Sequence, residues 1–146
     1  MKPAPWRLDE NAYPVTLEVQ TRFGDLDPLR HLNNVALARV YEEGRVRLHD
    51  RLRAAFEADG RVVVARVAID YLGEGRYPAP LTLGTGVLRV GEASYAIGQG
   101  LFQQGVCIGV AETVVVYTVS GASRPLPEAV RAALQPLLLT APVDRG

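Results

Sequence analysis

The chain has 146 residues, 48% of them apolar and 22% charged, and its sixteen basic and sixteen acidic side chains leave a formal net charge of zero. That length fits one domain, residues 1–146, with a substantial buried core, and the composition lies far from that of a disordered chain. Balanced charge leaves no electrostatic footprint for nucleic acid, and no apolar run approaches the roughly 18–20 residues of a membrane span.

Residues 1–14 carry Pro3, Pro5 and Pro14 and read as an irregular lead-in without the apolar stretch of a signal peptide. From Val15 the pattern alternates. Val15, Leu17, Val19 and Phe23 point one way and Thr16, Glu18, Gln20 and Arg22 the other, which predicts a half-buried strand. Gly24 and Pro28 end it, since proline has no donor for a ladder. A long helix follows over about 34–56, with Leu37, Val40, Tyr41, Gly44, Leu48, Leu52 and Phe56 at helical spacing. Asn33 or Asn34 supplies its N-cap. Gly44 lies on the apolar stripe, where glycine costs about 1 kcal/mol of helix propensity relative to alanine. The compensation expected there is close approach of a sheet. Arg39, Arg45, Arg47, Arg51 and Arg53 interleave with Glu42, Glu43 and Asp50 and read as a solvated face, and His49 as a surface residue helped by the helix dipole.

Strands are predicted over 62–72, 81–90, 95–103 and 106–119, divided by GEGRYPAP, Gly91-Glu92-Ala93 and Gln104-Gly105. Breaks this short suit antiparallel hairpins rather than helical crossovers. A terminal helix runs over 127–138, followed by a polar tail. The expected fold class is α+β: a bent antiparallel five-stranded sheet wrapped round one long central helix, with a short C-terminal helix.

Several chemistries are absent. There is no G-x-S-x-G elbow and no G-x-x-x-x-G-K-S/T phosphate loop. Two histidines, His31 and His49, and one cysteine, Cys107, form no metal-ligand cluster at recognised spacing, so neither metal nor cofactor is expected. Cys107 falls in a predicted strand and reads as a small buried side chain. A single cysteine excludes an internal disulfide and suits a reducing compartment, so a cytoplasmic location is expected.

The informative window is 21–50, TRFGDLDPLRHLNNVALARVYEEGRVRLHD. Asp27 begins D-x-x-x-H-x-N-N, through His31, Asn33 and Asn34, and along the helix comes E-E-x-R at Glu42, Glu43 and Arg45. This window resembles the hot-dog-fold acyl-CoA thioesterases of the 4-hydroxybenzoyl-CoA thioesterase-like group. The G-D-x-D-P start at Gly24–Pro28 and the stretch Ser123-Arg124-Pro125-Leu126-Pro127-Glu128 are similar to that group too. Gly44 stands where the subgroup usually has alanine, read here as a mild change. Leu29 stands where plant acyl-carrier-protein thioesterases carry asparagine, so their fuller polar site does not carry over.

The resemblance implies hydrolysis of an acyl-CoA thioester. Asp27 would be the nucleophile or the base for water, and His31 would orient Asp27 or the attacking water. Unpaired amides at the positive end of the helix would receive the developing oxyanion. From the residues alone, Asp27 before proline is also a common turn former, and His31 a loop histidine holding the helix entrance. Asn33, Asn34 and Glu42 are the candidate substrate-binding residues. A helix cap is the simpler account of the asparagines, as an ion pair with Arg39 or Arg45 is of Glu42. The resemblance also implies a homodimer or homotetramer paired edge to edge with active sites at the interface. The rival readings are a hot-dog enoyl-thioester hydratase or dehydratase, whose longer motif is absent, and a non-catalytic acyl-CoA-binding module.

Overall fold

A computed structural model of the chain describes residues 2–142. Strand β1 is Val15–Val19, helix α1 is Asn34–Leu52, and a 3-10 turn over Arg53–Ala55 prolongs α1. Then come β2 (Gly60–Tyr71), β3 (Leu81–Val90), β4 (Ser94–Gln103), β5 (Val106–Val119) and the two-residue β6 (Ala122–Ser123). Helix α2 is Glu128–Leu134, with a final 3-10 turn at Gln135–Leu137. The strands form one antiparallel sheet in the order β1-β3-β4-β5-β2, with β6 attached to β5. Both two-residue turns flanking β5, Gln104-Gly105 and Ser120-Gly121, take positive φ at each residue, the geometry whose twist matches a hairpin.

Strand β1 stops earlier than the alternation suggests. Its last pair is Val19 with Leu81, the first residue of β3, so the chain beyond has no strand to pair with. Phe23 consequently lies in a 3-10 turn and is 72% exposed instead of facing the core. The segment after α2 also departs from the expected polar tail, since Leu139 is buried.

Helix α1 lies across one face of the sheet. Its first half packs Leu37 and Tyr41 against Leu81, Leu83, Leu101 and Ile108, and its second half packs Leu48 and Leu52 against Ile97, Val115, Tyr117 and α2. Gly44 is the point of closest approach. A Cβ there would stand 2.6 Å from Gln99 Nε2 and closer still to Leu83. The fully buried Gln99 donates from Nε2 to the Tyr41 carbonyl at 3.0 Å and to Thr85 Oγ1 at 3.1 Å, tying helix to sheet through a polar contact. Alanine is therefore not a mild change at this position.

On the opposite face the lead-in is an ordered strap. Tyr13 covers Gly84 and Gly100, where a Cβ would stand 2.5 Å and 2.7 Å from its ring. Arg7 donates to Tyr13 Oη at 3.0 Å and to the carbonyls of Gln99 and Ala111, each at 3.3 Å. Leu139 joins Tyr13 and Phe102 in the same apolar layer.

Two residues assigned to the solvated face of α1 are not solvated. Arg45 is only 9% exposed, and its Nη1 is buried without a protein partner. His49 has a buried Nε2 and packs edge-on against Tyr95, with ring centroids 6.1 Å apart. Burial first, and then the Arg45 guanidinium, push its imidazole down to about 4 against an opposing contribution from Asp50. Among the described residues no helix is long and apolar enough to cross a membrane.

Gly44→Ala is expected to destabilise the protein by about 1–2 kcal/mol in denaturant unfolding despite its better helix propensity, because Leu83 and Gln99 are packed too tightly to yield. A gain in stability would show that the sheet can move away. His49 binds its proton less readily folded than unfolded, so its contribution is complete above about pH 6.5 and is lost as pH falls towards 4. Unfolding free energies measured across that interval should include a decline of about 2–3 kcal/mol that is missing in His49→Leu.

Candidate active site

The chain between β1 and α1 folds back on itself before the helix starts. Leu26 and Leu32 form an isolated antiparallel bridge, and within it the Asp27 amide donates to the His31 carbonyl at 2.8 Å. Asp27 Oδ1 accepts from the amides of Leu29 at 2.8 Å and His31 at 3.1 Å, the Asx pattern that lets a carboxylate close a turn. Arg30 takes φ 63° to complete it. The turn-forming reading of Asp27 is therefore correct as geometry. It consumes only Oδ1, and Oδ2 accepts no hydrogen bond from the described residues.

Two further bonds fix this turn to the helix. The Asn33 amide donates to the Asp25 carbonyl at 2.9 Å, and Asn33 Oδ1 accepts from the Ala36 amide at 2.7 Å. Asn33 is thus the N-cap, and Asn34 is the first helical residue. With Ala36 capped and Leu37 bonded to the Asn33 carbonyl, the amides of Asn34 and Val35 are left unpaired among the described residues at the positive end of α1.

The segment after β2 closes the other side. Gly75 accepts from the Leu32 amide at 2.8 Å, and Gln103 holds Arg76 and Ala79 through three bonds of 2.7–2.9 Å. Glu74, held in that segment, pairs with His31 Nε2 at 2.9 Å, and Tyr71 Oη donates to the Asn34 carbonyl at 3.3 Å. The result is a cleft of about 310 Å³ that Asp27, His31, Asn34, Tyr71 and Glu74 help to line.

Asp27, His31 and Asn34 thus share one cleft, with Asn33 directly behind as the cap. The His31 ring turns to Glu74, so its link to Asp27 runs through backbone rather than through the imidazole. Glu42 is elsewhere: it is exposed, lies about 12 Å further along the axis of α1, and does not line the cleft. Its expected ion pair is not formed. The bond on this part of the helix joins Glu43 to Arg47 at 3.3 Å instead. Tyr71 and Glu74 were invisible to pattern reading, because one ends a strand and the other sits in a Gly-rich break, and only tertiary contacts bring them to α1.

A larger open cleft of about 610 Å³ lies at the far end of α1, bordered by His49, Arg53, Phe56 and Arg61. Its arginines face Asp50 and Asp59, and it contains no residue of the Asp27–Asn34 turn. The residues singled out from the sequence therefore gather at the smaller cleft. Cys107 is half-buried, its thiol donates to the Gly109 carbonyl at 3.4 Å, and burial raises its pKa, which suits a packing role. Among the described residues no group of three or more His, Cys, Asp or Glu side chains gathers as a metal site.

Comparison with known proteins identifies the family and the fold. Residues 21–134 match the family described as the thioesterase-like superfamily. A thioesterase from Thermus thermophilus, solved with coenzyme A and zinc, is 31% identical, with 86% of this chain and 95% of that one covered and a TM-score of 0.77. A thioesterase-superfamily protein from Jannaschia sp. CCS1 is 26% identical over 95% of this chain and 89% of that one, with a TM-score of 0.76. The PA5185 protein from Pseudomonas aeruginosa PAO1 shares the fold at 24% identity, covering 92% and 99% of the two chains with a TM-score of 0.78. No curated protein matches. With its sheet curled round α1 and the family match spanning turn, helix and strands alike, the chain belongs to the thioesterase-like superfamily and has the hot-dog fold.

Proposed function

We propose that this protein hydrolyses acyl-coenzyme A thioesters to the free acid and CoA, with the Asp27 turn and the start of α1 as the reacting centre. The observation that carries the reading is that a carboxylate with one uncommitted oxygen and the first residue of α1, whose amide is uncommitted, line one cleft. The solved Thermus thermophilus thioesterase, which holds coenzyme A, supports the leaving group.

A thioester carbonyl needs charge stabilisation on oxygen and an attacking group on carbon. The amides of Asn34 and Val35 receive the carbonyl oxygen as it becomes an oxyanion. Asp27 either takes a proton from water as the water oxygen bonds to the carbonyl carbon, or attacks that carbon itself to give an anhydride that water then opens. In the first route the C–S bond breaks as the tetrahedral adduct collapses, and the thiolate takes the proton that Asp27 collected from water. In the second the thiolate leaves as the anhydride forms and is protonated from solvent. The water that opens the anhydride releases its proton to solvent as the acid and the Asp27 carboxylate separate. His31, held by Glu74 and lining the same cleft, relays a proton in this reading.

The cleft lies beside the end of β2, whose Tyr71 lines it, and β2 is the last strand of the sheet. Strand β2 has twelve residues, is paired only to β5, and exposes Val63, Val64, Val67 and Tyr71. A second copy joined along this edge would cover those side chains and close the site, with the acyl group between α1 and the partner's sheet. The proposed working unit is therefore a homodimer.

Thiol release should be detectable with at least one member of a panel of short, long and aromatic acyl-CoAs. Asp27→Asn keeps an oxygen acceptor for the Leu29 and His31 amides, so the turn should survive while kcat/KM falls by about 10³-fold. Unaltered turnover in that variant would rule out Asp27 as the reacting carboxylate, and saturable acyl-CoA binding with no hydrolysis by the wild type would instead mark a binding module.

A further inference from the structure

Two contacts identify the flank of α1 that faces β2: Tyr71 Oη bonds the Asn34 carbonyl at one end, and His49 borders a cleft with Gly60 and Val62 at the other. Between them, on the same flank, stand Glu42 and Arg45. Elsewhere on the helix opposite charges pair within the chain, Glu43 with Arg47 at 3.3 Å and Asp50 with Arg53 at 3.2 Å. Glu42 and Arg45 behave differently. Glu42 is exposed and holds no ion pair among the described residues, while Arg45 is only 9% exposed with Nη1 unpartnered. Burial lowers the pKa of Arg45, and only the nearby Glu42 carboxylate opposes that effect.

A guanidinium held largely out of water without an ion pair is costly to keep, and a carboxylate that reached its accessible side would offset that cost. Within this chain the nearest acid stands one turn away without reaching it. Across a two-fold axis the situation changes. In an isologous contact, if residue i of one copy meets residue j of the other, then j also meets i. An acid and a base one turn apart, on the helix flank beside a pairing edge, satisfy that rule with two equivalent bonds. The surroundings are those of an interface, since Val46 on α1 and Val64 and Val67 on β2 are each about half exposed.

We propose that Glu42 of one copy pairs with Arg45 of the partner subunit, and reciprocally, across the two-fold axis of the β2-edge dimer, so that Glu42 serves assembly rather than substrate binding. This rests on the dimer proposed above. It commits the face to a second copy of the same chain, whose charges are complementary to this one by symmetry.

Sedimentation equilibrium on wild type, E42R, R45E and the exchange variant E42R/R45E tests the pairing, with circular dichroism as a check on folding. Each single change should raise the dimer dissociation constant at least about tenfold, and the exchange should recover most of the loss. If the R45E chain does not fold, E42R decides alone, because Glu42 is exposed and its replacement confronts Arg45 of the partner subunit with a like charge. A dimer unaffected by E42R overturns the pairing, as does an E42Q protein that dimerises like wild type and loses turnover. A wild-type protein that is monomeric at every concentration overturns the dimer itself, an outcome distinct from a dimer indifferent to these charges.

Discussion

The geometry of the candidate site depends on how α1 begins. Asn33 does this with both ends of its residue: its amide reaches back to Asp25, and its side chain caps the Ala36 amide. A cap contributes about 1 kcal/mol, but its positional effect is larger than that figure suggests. By satisfying Ala36 and leaving Asn34 and Val35, it decides which donors remain for a ligand. The Asp27 turn has a similar economy. One carboxylate oxygen holds two loop amides in place, which orients the second oxygen without any other side chain touching it. The loop former and the proposed reactive group are thus the same residue, and only a substitution that preserves the acceptor can separate structure from chemistry.

The two flanks of α1 follow different rules. On the side of β1 the charges lie in water, where an ion pair such as Glu43 with Arg47 adds at most about 1 kcal/mol. On the side of β2 the same helix carries Arg45 and His49 inward, and their buried nitrogens lack protein partners. Each such group left unpaired costs about 1–3 kcal/mol, more if charged. The fold tolerates this because the helix is secured elsewhere, through the Gln99 bonds at Gly44 and the two apolar clusters on either side of it.

Much of this was readable from the sequence. Apolar runs and the glycine-containing breaks between them gave β2 to β5 nearly to their ends, because those signals are local and every strand has a neighbour along its length. The readable signal failed where a partner decides. Residues 20–23 continue the alternation of β1, but β3 begins at Leu81 and leaves nothing for them to pair with. His49 sits among charges in the sequence and beside Tyr95 in space. The strap shows the same limit, since nothing near Arg7 announces that it will reach the carbonyls of two central strands. In the site, Asp27, His31 and the asparagines were legible because they lie within eight residues of each other. Glu74 was not, because its meeting with His31 depends on Gln103 holding the segment after β2.

The two edges of the sheet explain why assembly would take one direction. Strand β1 is short, five residues, with every second side chain exposed, and so offers little ladder to an incoming strand. On the face behind it, the strap and Leu139 already cover the glycines of β3 and β4, so that surface is occupied by the chain itself. Strand β2 has neither protection. It is long, its bulge at Val64–Arg66 interrupts but does not end it, and valines stand exposed along it. Of the two edges, β2 is therefore the longer and the more apolar, and the one that offers an incoming strand both a ladder and surface to bury. That edge borders both the cleft at Asp27 and the unpaired flank of α1. Closing the site, covering the valines and neutralising Arg45 are then three consequences of one contact.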